Sequence, residues 1–532
     1  MAFTTIEFVI FLAFVILLYY LIPKKAQCFF LLLVSYIFYF VAGEWYFPFI
    51  ILTTLSSYFV AKIIDKNQMQ CDCFLQVNRG VLSKAERKEY KARAKKKSLR
   101  ILLIGLTVNF GTLGLLKYTG FAITNINAVI SMFGSRQFDI PNFILPLGIS
   151  FYTFQSMGYL IDVYRGKSKA EKNIVRFSLF VSFFPQLVQG PISRYSDLSG
   201  ELFKVHKAEW ENLTVGAIRI CFGYFKKLVI ADRIMVAVRE IATNPDNYKG
   251  AYTVFLIIIY SVEIYADFTG GIDIAIGIAR MLGIRLAENF DRPFASTSTK
   301  EYWKRWHISL GAWFTDYVFY PLSISKPMQR LSKASRKRLG NKIGKRLPVY
   351  IATMATWLLT GLWHGARWSF IAWGLSNCFV ILVSQELAPI YSKLHTRFPS
   401  LDKSFVWTLY LRAQTFMLMG AIRLFDCYRD VTVTFNMLGS VFYNFSSWRG
   451  FFCGGILSLG LDLADYLLVI IGVLLIFAVS EFKAKNKCEI GVLIAEKPLL
   501  LASSIGAIIL AILIFGSYGI GYEATEIIYT QF

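Results

Sequence analysis

Charge is scarce in this chain. Only 17% of its 532 residues are Asp, Glu, Lys or Arg, against 55% hydrophobic and 16% aromatic, with a mean hydropathy of +0.50. A soluble protein cannot hide that much apolar surface, so lipid must serve as the solvent for most of it. Disordered, collagen-like and disulfide-rich secreted classes are excluded by the same balance. Eight cysteines are scattered, and only Cys71 and Cys73 lie close together, with no histidine near them, so no metal site is expected. The chain has no GxSxG elbow, no GxxxxGK[ST] phosphate loop, no HExxH and no dinucleotide fingerprint. Internal repeats and low-complexity segments are absent as well.

What charge there is has one sign and two addresses. Lys and Arg total 57 against 34 acids, giving +23. Lys84–Arg100 contributes a net seven and Lys326–Arg346 a net nine, sixteen of that excess. Each basic stretch abuts an apolar segment, where the positive-inside rule counts charge, so both are expected to be cytoplasmic loops. No nucleic-acid-binding module accompanies the charge, and nucleic acid is not expected as a partner. The first apolar segment, Phe8 to Pro23, follows Glu7 and lacks a small-residue cleavage site; it is expected to be an uncleaved span with the N-terminus outside. Lys483, Lys485 and Lys487 before the last apolar run, Leu499–Tyr522, place the C-terminus outside too. Runs such as Ala26–Gly43, Trp45–Ala61 and Ile101–Leu116 are long enough to cross ~30 Å of hydrocarbon. Less clean stretches bring the expected total to about ten to twelve crossings in one all-α integral membrane domain, residues 1–532.

The middle, about residues 141–375, breaks its apolar runs with Gly, Pro, Gln, Asp, Arg and His. Interrupted, polar segments at membrane depth are tolerated only against protein or a cavity. Glu263, Asp267 and Asp273 are therefore functional candidates. Of four histidines, two stand in unusual settings. His307 lies in "EYWKRWHISLGAWFTDYVFYPL", beside Trp303, Trp306 and Asp316, and His364 in "WLLTGLWHGARWSFIAWGL", beside Trp363. A helix beginning near Leu347 would carry His364 about 25 Å inward. A lone histidine in an apolar run is ordinarily a satisfied core residue. Here Gly361 and Gly365 flank it and let something approach closely. A neutral imidazole in a dry cavity suits proton abstraction from a hydroxyl. From the residues alone, a plain core role and a two-histidine acyl- or group-transfer site both stand.

The same stretches resemble the membrane-bound O-acyltransferase family, in its bacterial alginate O-acetylation branch. "YWKRWHISLGAWFTDYVFYPL" and "LLTGLWHGARWSFIAWGL" carry the likeness, supported by "LPLGISFYTFQSMGYLIDVYRG", "FPQLVQGPISRYSDL" and "YADFTGGIDIAIGIARMLGIRLAENFDRPF". The resemblance implies a ring of helices, with re-entrant or interfacial pieces, around a central tunnel. It makes His364 the catalytic histidine and His307 its companion. Trp303, Trp306, Asp316, Trp363, Tyr265, Asp267 and Gln189 are expected to line substrate or tunnel. It implies no bound cofactor or metal, acetyl-CoA as acyl donor and an exported cell-envelope polysaccharide as final acceptor. It also implies an extracytoplasmic SGNH-hydrolase-like acyltransferase partner and a bacterial cytoplasmic membrane. Alternatives are D-alanyl transfer to teichoic acid from a carrier protein, and a lipid-linked sugar transporter without covalent chemistry; a structural scaffold does not explain the two histidines. Relatives commonly read "DFSGYSD" where this chain has Asp267–Asp273 as "DFTGGID", which leaves acyl group and acceptor open. Near the C-terminus, Tyr529 is a candidate outer relay for the acyl group, with an interfacial anchor as its plain alternative.

Overall fold

The structure is a computed structural model that describes residues 3–134, 137–141 and 143–518. Tyr529 falls outside them. Among the described residues every regular element is helical, and the one extended pairing is a single antiparallel bridge between Phe290 and Trp306. Seven helices are long and apolar enough to cross a membrane, and Ile6–Leu21 and Val431–Tyr443 are shorter apolar helices. This is a multi-pass membrane protein. The expected ten to twelve crossings exceed these seven because several of the expected stretches form short helices, such as Ile174–Ser182 and Phe184–Leu187, and others lie in long helices outside those seven, Lys326–His364 and Phe405–Tyr428.

The described chain falls into two compact units, Met1–Leu213 with Ile278–Leu286, and Thr214–Gly277 with Ala287–Phe532. In the first, α1 (Ile6–Leu21), α2 (Gln27–Gly43), α3 (Phe47–Val77) and α4 (Lys84–Ser131) precede α5 (Ile149–Tyr164). The basic stretch 84–100, expected as a loop, is instead the opening of α4. Lys, Arg, Ala and Glu all favour helix, and Ser83 with Glu86 closes a capping box at its start, so helix continues outward past the apolar run. Lower down, Gly105 packs against Val60, and Asn109 Nδ2 donates to Ser56 Oγ at 3.0 Å, tying α3 to α4. Gln155 and Gln186 pair at 2.7 Å inside this unit, and Gln189 is fully buried there.

In the second unit, α6 (Trp210–Tyr224) loosens into one wide turn over Phe225–Ala231 and continues as α7 (Asp232–Thr243). It lies against α8 (Ala251–Met281), whose last turn counts with the first unit. A Cβ on Gly270 would sit 2.8 Å from the carbonyl oxygen of Gly223, so the two backbones meet directly. The wide turn aims two consecutive lysines at α8. Lys227 holds Asp267 at 2.6 Å and Asp232 at 2.8 Å, and Lys226 holds Asp273 at 2.6 Å. Arg219 adds Asp273 at 3.0 Å and Glu288 at 2.7 Å, and Lys483 reaches Glu288 at 2.8 Å. Burial alone would push the Glu288 carboxyl up; Arg219 and Lys483 outweigh it and hold the group well below the usual carboxylate range.

Candidate active site

The bridge between Phe290 and Trp306 sets the first histidine. Asp291 N–H donates to Arg305 O at 2.9 Å and Ile308 N–H to Asn289 O at 2.9 Å, so the chain turns sharply between α9 (Thr299–Arg305) and α10 (Ile308–Phe314). His307 occupies that turn with φ +49°, a left-handed conformation that a histidine keeps only where its surroundings enforce it. Its ring is buried, meeting Phe268 edge-on at 5.0 Å and Trp363 at 5.9 Å between centroids.

The second histidine closes α11, which runs Lys326–His364 with a non-helical break at Gly340. Helix therefore starts some twenty residues before Leu347, and the stretch 326–346, expected as a loop, is helical on both sides of Gly340. Gly361 and Gly365 do thin the backbone beside His364, as the sequence suggests. What comes close is the neighbouring helix: a Cβ on Gly361 would lie 2.3 Å from Phe370 O, and one on Gly365 2.2 Å from the Phe370 ring. Phe370 belongs to α12 (Trp368–Arg397), whose Gly374 is equally tight against Trp357 O at 2.4 Å. Small residues thus weld α11 to α12 around His364.

Both histidines line one cavity of about 500 Å³, entirely within the second unit. One wall is α9 and α10, with Lys300, Trp303, Lys304, Trp306 and His307. Another is a single face of α11, where Thr353, Thr356, Trp357, Thr360 and His364 recur at helical spacing. The three threonine hydroxyls are turned back onto carbonyls of their own helix at 2.7–2.8 Å, which leaves that face largely apolar. Phe370 and Trp373 come from α12, and Arg423 and Asp426 from α13 (Phe405–Tyr428). The Trp373 ring stands 4.7 Å from His364 and 5.6 Å from Trp303, while Trp363 sits between the histidines, 5.0 Å from His364.

Of the residues expected to line substrate or tunnel, Trp303 and Trp306 face the cavity with both histidines. Trp363 packs behind it between the two imidazoles. Tyr265 is buried among Phe290, Phe294 and Trp306, and Asp316 is half-buried in the turn that follows α10; neither is on the cavity wall. Asp267 is also off the wall, held in the ion pair with Lys227. Gln189 belongs to the first unit, whereas the cavity residues belong to the second.

Three side chains that sequence reasoning passed over are at the site. Arg423 is buried with its guanidinium carbon 3.9 Å over the Trp306 ring and Nη2 donating to Tyr302 Oη at 2.7 Å. Tyr302 in turn stacks on Trp306. Asp426, one turn beyond, accepts from Tyr260 Oη at 2.8 Å. Asn289 is fully buried against His307. The signal for Arg423 was an arginine at the end of an apolar run, "MGAIRLFD".

A wall of aromatic rings, two imidazoles and a stacked guanidinium can hold a small uncharged group next to a thioester or hydroxyl and keep water away. Among the described residues no cluster of His, Cys, Asp and Glu is arranged to hold a metal ion. The profile of MBOAT, the membrane-bound O-acyltransferase family, matches residues 168–336. The chain is similar to the probable alginate O-acetylase AlgI of Azotobacter vinelandii, 39% identical over 280 residues, covering 52% of this chain and 51% of that protein. It is similar to the probable alginate O-acetylase AlgI of Pseudomonas aeruginosa, 32% identical over 378 residues, 70% of this chain and 63% of that protein. It also matches the peptidoglycan O-acetyltransferase of Helicobacter pylori, 31% identical over 327 residues, 56% of this chain and 58% of that one. The chain thus spans between half and two thirds of the length of these curated relatives.

Proposed function

We propose that the chain, whose residues 168–336 match the membrane-bound O-acyltransferase profile, moves an acyl group from a cytoplasmic thioester to a hydroxyl, for O-acetylation of an exported cell-envelope polysaccharide. The observation that carries this reading is the pair of histidines on two walls of one aromatic cavity. His364 accepts the proton of the attacking hydroxyl, and the aromatic wall excludes the water that would hydrolyse the thioester. Trp303, Trp306, Trp363 and Tyr265 shape that wall or back it, Asp267 braces α8 through Lys227, and Gln189 acts within the first unit.

Acetyl-CoA is the proposed donor. Its phosphates suit the basic opening of α11, the helix that carries His364, which faces the cytoplasm in this reading, with both termini on the other side of a bacterial cytoplasmic membrane. An extracytoplasmic SGNH-hydrolase-like acyltransferase would complete transfer to the polymer, and Tyr529 is an optional outer relay. Sealed inverted membrane vesicles supplied with acetyl-labelled acetyl-CoA test the donor. Label entering alkali-labile ester in the intact protein, and not in His364→Ala, supports the reading. Ester formed only from a D-alanyl carrier protein moves the chain to teichoic acid alanylation.

A further inference from the structure

We infer that Asn289 is a positioning residue that fixes the tautomer of His307, so that His307 offers the acyl group a hydrogen-bond donor and not a base; the catalytic half of this rests on the acyl-transfer reading above. The orientation of the Asn289 amide follows from its neighbours. The backbone N–H of Ser309 can only donate, and it meets Oδ1 at 2.9 Å. The Ser309 hydroxyl donates to the same oxygen, also at 2.9 Å. With Oδ1 held by these two donors, Nδ2 faces the histidine ring and stands 3.2 Å from Nδ1. Oδ1 is farther from that nitrogen, at 3.4 Å, and is already engaged twice. An amide N–H can only donate, so Nδ1 is the acceptor and the ring proton of the neutral imidazole resides on Nε2.

The backbone prevents the ring from escaping this arrangement. Ile308 N–H donates to Asn289 O at 2.9 Å, so the residue that supplies the amide also grips the turn that holds the histidine. With Nδ1 engaged by the amide, Nε2–H is the ring's donor, a buried atom on a residue of the cavity wall, and the acyl oxygen must seat against the ring to meet it. The two histidines then divide the work. The acceptor's hydroxyl oxygen bonds to the acyl carbon and its proton passes to His364. The carbonyl π pair moves onto oxygen, and His307 Nε2–H stabilises that charge. When the pair returns, the carbon–sulfur bond breaks, and the departing thiolate takes the proton from His364. His307 keeps its own proton throughout.

The test reads the tautomer directly and needs no activity. With ¹⁵N-labelled histidine, the difference between spectra of the full-length protein and His307→Gln isolates His307, one of only four histidines. At neutral pH the expected signal has Nδ1 unprotonated and Nε2 protonated; a protonated Nδ1 in the intact protein overturns the inference. Asn289→Asp keeps the shape, but its carboxylate only accepts, so the proton should move to Nδ1. In the vesicle assay this variant should lose about 100-fold in kcat, with KM changed less than about 3-fold, the size expected for removing one such donor. Wild-type kcat in Asn289→Asp with the proton on Nδ1 would also sink it. Should Asn289→Asp fail to fold, the spectrum of the intact protein still decides. The correct tautomer in a protein that transfers no acyl group would leave the positioning intact and remove the functional reading.

Discussion

Replacing Gly361 with alanine should disable the site from one turn away. A Cβ there would stand 2.3 Å from the backbone carbonyl oxygen of Phe370, and that atom cannot swing aside as a side chain would. Restoring an ordinary contact requires α11 and α12 to part by about 1 Å, and overpacking of this kind costs roughly 1–3 kcal/mol. His364 lies three residues on, ~4.5 Å along the helix, so it moves with the displaced segment. A misplacement of about 1 Å at reacting groups lowers rate on the order of 100-fold. Ester formation in vesicles should fall by that factor in Gly361→Ala, with a lower thermal midpoint in detergent. Gly506→Ala is the control, since nothing lies within 4 Å of a Cβ at that position. It should leave activity unchanged. Full activity and stability in Gly361→Ala would refute the claim that close packing of α11 on α12 places His364.

Two further predictions concern the ion pairs. Lys227→Met removes the cation that Asp232 and Asp267 share, whereas Asp267→Asn leaves the Lys227–Asp232 pair in place. Breaking a buried pair costs roughly 3–5 kcal/mol, so the lysine variant should show the larger loss of thermal midpoint and membrane yield; the reverse order would contradict the assignment. Glu288 is held below its ordinary value, so its stabilising contribution is complete above an unfolded pKa near 4.5 and is lost as pH falls below that toward the folded value. The gap in thermal midpoint between the intact protein and Glu288→Gln should be constant from pH 7.5 to about 5.5 and narrow below about 4.5. A gap that widens on acidification would show that the carboxylate is not held by Arg219.

The two histidines stood out in the sequence by their aromatic and glycine-flanked settings, with a plain core role as the standing alternative, and the structure brings both to one cavity. The membrane class was legible from composition, and its helical build from apolar runs long enough to span hydrocarbon. Less was visible where a neutral or paired residue does the positioning. Asn289 lies in "AENFDRPF", with no periodicity to mark it; its importance comes from a bridge that brings residues 290 and 306 together. Asp267 reads as a candidate for a cavity because buried carboxylates often are. Its partner Lys227 was equally visible in "GYFKKLVIAD", and a lysine inside an apolar run calls for such a carboxylate. The basic stretches read as loops because charge argues against lipid, yet Lys, Arg and Ala extend helices readily once outside it. Gly361 and Gly365 announce a close approach, but sequence does not say whether a ligand or a helix makes it.

The central claim is that acyl transfer passes through the cavity under the control of His364. The most direct measurement compares the envelope polymer of cells carrying the intact protein with that of cells carrying His364→Ala at matched membrane levels. Mild alkali releases ester-linked acyl groups for identification by mass. The account predicts acetate from the first and none above background from the second. Equal acetate from both would contradict it.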